Sequence, residues 1–114
     1  MISNELLKGS VKTILLKVLK ENGPMHGYAI TQKIEELSNG KIKITYGGLY
    51  PILHKLENDG ILVTATEIYN NRIRVYYALT DKGQSLVIEK IKELNEYIES
   101  IKKIIDAKPG LSHV

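Results

Sequence analysis

The sequence predicts a mainly α-helical domain with one small β-hairpin and a long final helix. Three observations carry that expectation. Between Gly48 and Leu62, apolar residues fall at Leu49, Ile52, Leu53 and Leu56, the i, i+3, i+4, i+7 spacing of one buried helical face, and Asn58-Asp59-Gly60 then halts the helix. Two runs rich in β-formers follow, Ile61 to Tyr69 and Ile73 to Leu79, on either side of Asn70-Asn71, a pair that accepts turn conformations. Beyond them Val87, Ile91, Leu94, Ile98, Ile101 and Ile105 are spaced 4, 3, 4, 3, 4, an a/d seam close to three heptads long.

Taken in order, the first helix is expected from about Leu6 to Lys20, with Val11, Ile14, Leu15, Val18 and Leu19 inward. Glu21-Asn22-Gly23-Pro24 ends it, since Pro cannot continue a helix and Gly supplies the turn. The second runs from about Gly27 to Leu37, with Ile30, Ile34 and Leu37 inward, and closes at Ser38-Asn39-Gly40. Lys41 to Ile44 alternates polar and apolar residues, as a very short strand does. In the third helix Pro51 is tolerable only near the start, so regular structure is expected from Leu49 to Pro51 onward, after a loose Tyr46-Gly47-Gly48 turn. In the second strand Ile73, Val75, Tyr77 and Leu79 share one face, and Arg74, Tyr76 and Ala78 the other. Thr80 is placed to cap the last helix, with Asp81 at the positive end of its dipole, and that helix ends near Ala107 ahead of Pro109-Gly110.

At 114 residues, 43% apolar and 25% charged, the chain has the size and composition of one soluble globular domain. No apolar run approaches the ~18 residues of a membrane span, and Met1-Ile2-Ser3-Asn4-Glu5 is no signal-peptide start. The absence of Cys excludes disulfides and thiolate metal sites, and a cytoplasmic protein is expected. His26, His54 and His113 lack metal-ligand spacing, no nucleophile–base pair or phosphate loop stands out, and neither enzyme chemistry nor a cofactor is implied. The net charge is +3, with ten Lys/Arg against seven Asp/Glu in residues 1–80 and six against six in 81–114. The positive excess therefore lies ahead of the last helix, a balance compatible with nucleic acid.

The order helix, helix, helix, strand, wing, strand, long helix describes a winged helix-turn-helix DNA-binding domain (1–80), a C-terminal dimerisation helix (81–108) and a tail (109–114). A short helix pinned by an apolar stripe fits a DNA major groove, and Tyr46, Tyr50, His54 and Lys55 lie at or beside its free face. Arg72 and Arg74, the only arginines, both lie in the wing just after Asn71, two residues apart on one side of a strand, and no acidic residue occurs between Glu67 and Asp81. Arginines on a projecting hairpin enter narrow minor grooves or clamp phosphate, although two such residues also keep a strand edge soluble. Lys8, Ser10 and Tyr28 stand at helix starts, where they are candidates for phosphate contacts; a solvated start for Lys8 and Ser10, a core aromatic for Tyr28, and a merely exposed His54 are the plainer readings. The heptad seam either covers the chain's own core or pairs with a second copy in a twofold homodimer.

At residue level the chain resembles the PadR family of bacterial repressors. The matching pieces are Leu7-Lys8-Gly9-Ser10, Pro24 with His26-Gly27-Tyr28, Gly48-Leu49-Tyr50-Pro51, Leu56-Glu57, Asp59-Gly60-Ile61, Tyr76-Tyr77, and Leu79-Thr80 with Gly83. The single C-terminal helix is similar to that of the small PadR subfamily. The resemblance implies a homodimeric regulator, usually a repressor, that binds a near-palindromic double-stranded operator and is released by a small hydrophobic or aromatic effector. Carried over by position, an effector pocket would involve Leu6, Lys17, Ile91, Leu94, Tyr97 and Ile98. The chain has no Trp, so the flat stacking platform of the multidrug-responsive members is missing, with Tyr97 as a partial substitute; side chains filling a cavity-free dimer core are the other possibility. A winged-helix dimer that docks an acidic protein partner, without operator binding, is the alternative from a different class.

Overall fold

Three helices close around Leu15, Leu16, Ile30, Leu49, Leu53 and Leu56, and the first turns of the last helix add Val87 to that core. Each fully buried leucine contributes roughly 1.5–3 kcal/mol by leaving water. The structure, a computed structural model, describes residues 1–110. Its elements are α1 (Asn4–Leu7), α2 (Val11–Asn22), β1 (Met25–His26), α3 (Gly27–Leu37), α4 (Tyr46–Asn58), β2 (Leu62–Tyr69), β3 (Arg72–Leu79) and α5 (Asp81–Asp106). The fold is a winged helix, mainly helical, with a three-stranded antiparallel sheet ordered β1-β3-β2.

Four expectations need correction. The first helix is two helices: the Ser10 N–H and hydroxyl both donate to the Leu7 carbonyl, at 2.8 and 3.2 Å, folding Lys8-Gly9-Ser10 into a turn. Lys41 to Ile44 is a loop and not a strand, since no strand runs beside it; Ile42 and Ile44 still lean on the core. Helix α4 is regular from Tyr46, because the Thr45 hydroxyl accepts from the Gly48 N–H at 3.1 Å and caps the first turn. Pro51 therefore sits in the second turn, and the carbonyl its missing N–H cannot bond belongs to Gly47, which is exposed to solvent. Leu37, expected inward, is exposed at the end of α3, where the helix has left the core; Thr31 is buried instead, its hydroxyl donating to the Tyr28 carbonyl at 2.6 Å.

The hairpin forms as expected, one residue displaced at each strand start. Asn70 and Asn71 adopt φ of 50° and 63°, two successive left-handed residues as a type I′ turn requires. Only the base of the hairpin reaches the core: Tyr77 is buried and Leu79 half-buried, while Ile73 and Val75 on the same face stand exposed. Thr80 locks the hairpin to α5. Its hydroxyl donates to the Gly60 carbonyl at 2.6 Å and accepts from the Gly83 N–H at 3.1 Å. Gly83 lies so close to the Ile61 carbonyl that an added Cβ would collide with it.

Candidate nucleic-acid interface

The outer face of α4 carries an aromatic row. Tyr46 and Tyr50 meet edge to face with ring centroids 5.9 Å apart, and Tyr50 stacks on His54 at 6.0 Å and 14°. These residues are four apart, one above the next on a helix, so the row follows from spacing alone. All three are exposed, and with them four of the residues expected to face a duplex, Lys55 included, lie on the solvent side. The Lys55 ammonium is paired with Asp59 at 3.4 Å, so α4 offers less free positive charge than its sequence suggests.

Tyr46 is seated from beneath. Its ring occupies the space a Cβ on Gly27 would need, so a larger residue there would have to displace the ring. Tyr77 of the sheet lies close by; burial first, then the neighbouring Tyr46, Tyr50 and Glu57, push its phenol up to about 12, which keeps it neutral. Glu57 itself accepts a 2.9 Å bond from the Thr64 hydroxyl, joining the back of α4 to β2.

The wing places Asn71 in its turn, Arg72 exposed beside it and Arg74 half-buried further down. Among the described residues neither guanidinium has a carboxylate within 4.0 Å. Arg74 instead lies over the Tyr69 ring, 4.1 Å from its centroid, a cation–π contact that leaves its charge uncancelled. Glu67 is opposite Arg74 in register but makes no ion pair with it.

Of the remaining candidates, Tyr28 is exposed on the first turn of α3 and is not a core aromatic. Lys8 is exposed between α1 and α2, whereas the Ser10 hydroxyl is committed to the Leu7 carbonyl. Sequence reasoning gave no role to His26, which proves central to the local geometry. Its Nδ1 accepts from the Ala29 N–H at 3.3 Å, capping α3, and its ring stands edge-on to Tyr76 at 5.5 Å. Burial, and secondarily the Arg74 charge, hold its pKa below the usual 6.5. The available signal was its place directly before Gly27, where a helix start needs an acceptor.

The heptad seam divides along α5. Val87 is fully buried, Ile91 and Leu94 are half-buried, and Ile98, Ile101 and Ile105 are exposed at 53%, 36% and 74%. Leu6 and Tyr97 are exposed too, and Lys17 is paired with Glu21. Within one chain Leu6, Lys17, Tyr97 and Ile98 thus lie on open surface, Leu94 is half-buried and Ile91 leans on the core. A wide groove of about 1010 Å³ lies elsewhere, between α3 and the loop into α4, with Tyr28, Gln32, Glu35, Lys43 and Tyr46 on its walls. No cluster of three His, Cys, Asp or Glu suited to a metal occurs among the described residues; His113 lies outside them. No described helix is long and apolar enough to cross a membrane.

Comparison with known proteins agrees with this arrangement. The family model of the PadR-like transcriptional regulators matches residues 15–89. The transcriptional regulator Rv3488 of Mycobacterium tuberculosis is 32% identical over 85% of this chain and 87% of its own length. A transcriptional regulator from Clostridium thermocellum superposes with a TM-score of 0.82 at 27% identity, over 93% of this chain and all of the other. Bacillus subtilis PadR, solved in complex with operator DNA, superposes with a TM-score of 0.59 at 26% identity, over 91% of this chain and 51% of its own. The chain belongs to the PadR-like family of transcriptional regulators, which are not enzymes.

Proposed function

We propose that the protein is a cytoplasmic repressor that binds a near-palindromic operator as a homodimer. The observation that carries this reading is a pair of arginines on a projecting hairpin, unpaired with any described carboxylate, next to a helix whose outer face is an exposed aromatic row. In this reading residues 1–80 bind DNA and 81–108 join the two copies. Tyr46, Tyr50, His54 and Lys55 of α4 enter the major groove, and Tyr and His donate or accept at base edges and backbone. Asn71, Arg72 and Arg74 hold the flanking phosphates or the minor groove, with Lys8 and Tyr28 contributing backbone contacts. The exposed stretch of seam, Ile98, Ile101 and Ile105, pairs with its twofold mate, setting two α4 helices ~34 Å apart along the duplex. A small hydrophobic or aromatic effector would sit where Leu6, Lys17, Ile91, Leu94, Tyr97 and Ile98 meet the second copy, and would shift the spacing of the two heads.

Gel-shift titration with DNA from upstream of the protein's own gene tests the reading. The expected result is sequence-selective binding whose affinity falls steeply with salt. Absence of binding even at low salt would instead favour a wing that docks an acidic protein.

A further inference from the structure

His26 and Gly27 belong neither to α4 nor to the hairpin, yet both elements rest on them. Through Gly27 the β1–α3 junction seats the Tyr46 ring at the first turn of α4. Through His26 it reaches the wing, because β1 pairs with β3 in the register His26↔Tyr76. The His26 ring meets the Tyr76 ring edge-on at 5.5 Å and 89°. Arg74 lies two residues before Tyr76 on the same face of β3, and its guanidinium covers the Tyr69 ring at 4.1 Å. A row of side chains, His26, Tyr76, Arg74 and Tyr69, thus runs from the α3 cap toward the hairpin turn.

We infer that His26 is a positioning residue for DNA binding: its ring, held by the α3 cap, fixes the Arg74 guanidinium relative to α4. This rests on the DNA-binding reading. A long side chain that binds from a restricted set of rotamers loses less freedom than a free one. Arg74, half-buried and stacked, meets DNA already oriented, whereas exposed Arg72 adapts on contact. A bare capping role for His26 would need only the Nδ1 acceptor; the edge-on ring is the feature that capping leaves unexplained.

The variants H26N and H26F separate the two roles. Asn keeps a good capping acceptor and removes the ring, while Phe keeps a ring and removes the acceptor. H26N is expected to melt close to the wild type and to lose roughly 5- to 10-fold in operator affinity, a loss that shrinks to under about 2-fold in an R74A background. H26F is expected to recover operator affinity relative to H26N. In the free protein, NMR should show altered Tyr76 ring shifts and faster solvent exchange of the Arg74 Nε–H in H26N. Wild-type affinity for H26N, an equal loss in the R74A background, or unchanged Arg74 exchange would each overturn the inference. A wild-type protein that binds no DNA would overturn the DNA-binding reading itself, and the NMR readout distinguishes that case.

Discussion

Two elements leave the core, α5 and the hairpin, and each is rooted at one end and free at the other. Their roots are alike: Val87 and Tyr77 are buried, and Thr80 ties the two together through bonds to Gly60 and Gly83. Their free ends differ in kind. The far half of α5 repeats isoleucine at seam spacing and carries cations and anions alike, among them Lys102 paired with Asp106 at 3.7 Å. The hairpin tip carries two arginines and an Asn-Asn turn, with no ion pair among the described residues. An apolar stripe without excess charge suits another apolar stripe, and unopposed guanidinium suits an anionic surface. One fold thus extends two arms of the same design toward partners of opposite chemistry.

The largest expected effect breaks the apolar arm. Ile98→Glu with Ile101→Glu sets four carboxylates into a twofold seam, and should weaken self-association by at least ~3 kcal/mol, seen as monomers by sedimentation. A persistent dimer would move the interface elsewhere. Second, root and tip of α5 should respond unequally: in that monomeric background Val87→Ala should destabilise by about 2–3 kcal/mol and Ile105→Ala by under ~0.5 kcal/mol, read by urea unfolding. Third, Arg72→Ala with Arg74→Ala should reduce operator affinity ~10- to 100-fold, or about 1.4–2.7 kcal/mol. The salt slope should fall by up to roughly 2. Unchanged binding would exclude the wing from the interface. The smallest effect concerns pH. The His26 pKa is lowered on folding, so between that value and the unfolded 6.5 the unfolded chain holds the extra proton. Stability should therefore be full above pH 6.5 and decline as pH falls through the folded value, and H26N should flatten that part of the melting profile. An unaltered profile would show that His26 titrates freely.

Most of the hairpin and of α3 was legible, because period-2 alternation, an Asn-Asn turn, helical spacing of Ile30 and Ile34 and a Ser-Asn-Gly stop are local signals. Part of what sequence missed depended on partners far along the chain, and part on local bonds that compete with helix signals. β1 is two residues long and exists only because Tyr76 and Tyr77 lie opposite, so no periodicity could announce it. The break at Lys8-Gly9-Ser10 depends on where Leu7 is buried, which one glycine does not reveal. Continuous α4 required weighing the Thr45 cap above Pro51. Within the candidate interface, residue identities and the four-apart neighbours along α4 were readable, while Tyr46 over Gly27 joins residues whose distance in space no single stretch of sequence encodes, and Arg74 over Tyr69 depends on the hairpin register.

Helix α5 has 26 residues, which at 1.5 Å per residue makes a rod ~39 Å long. In a twofold pair such a rod multiplies angle into displacement. Tilting one about its crossing point by ~5° carries the distant end some 3 Å, close to the ~3.4 Å rise of a single nucleotide step. A molecule wedged at the crossing therefore needs to move atoms only slightly to put one reading head out of phase with the groove it must enter.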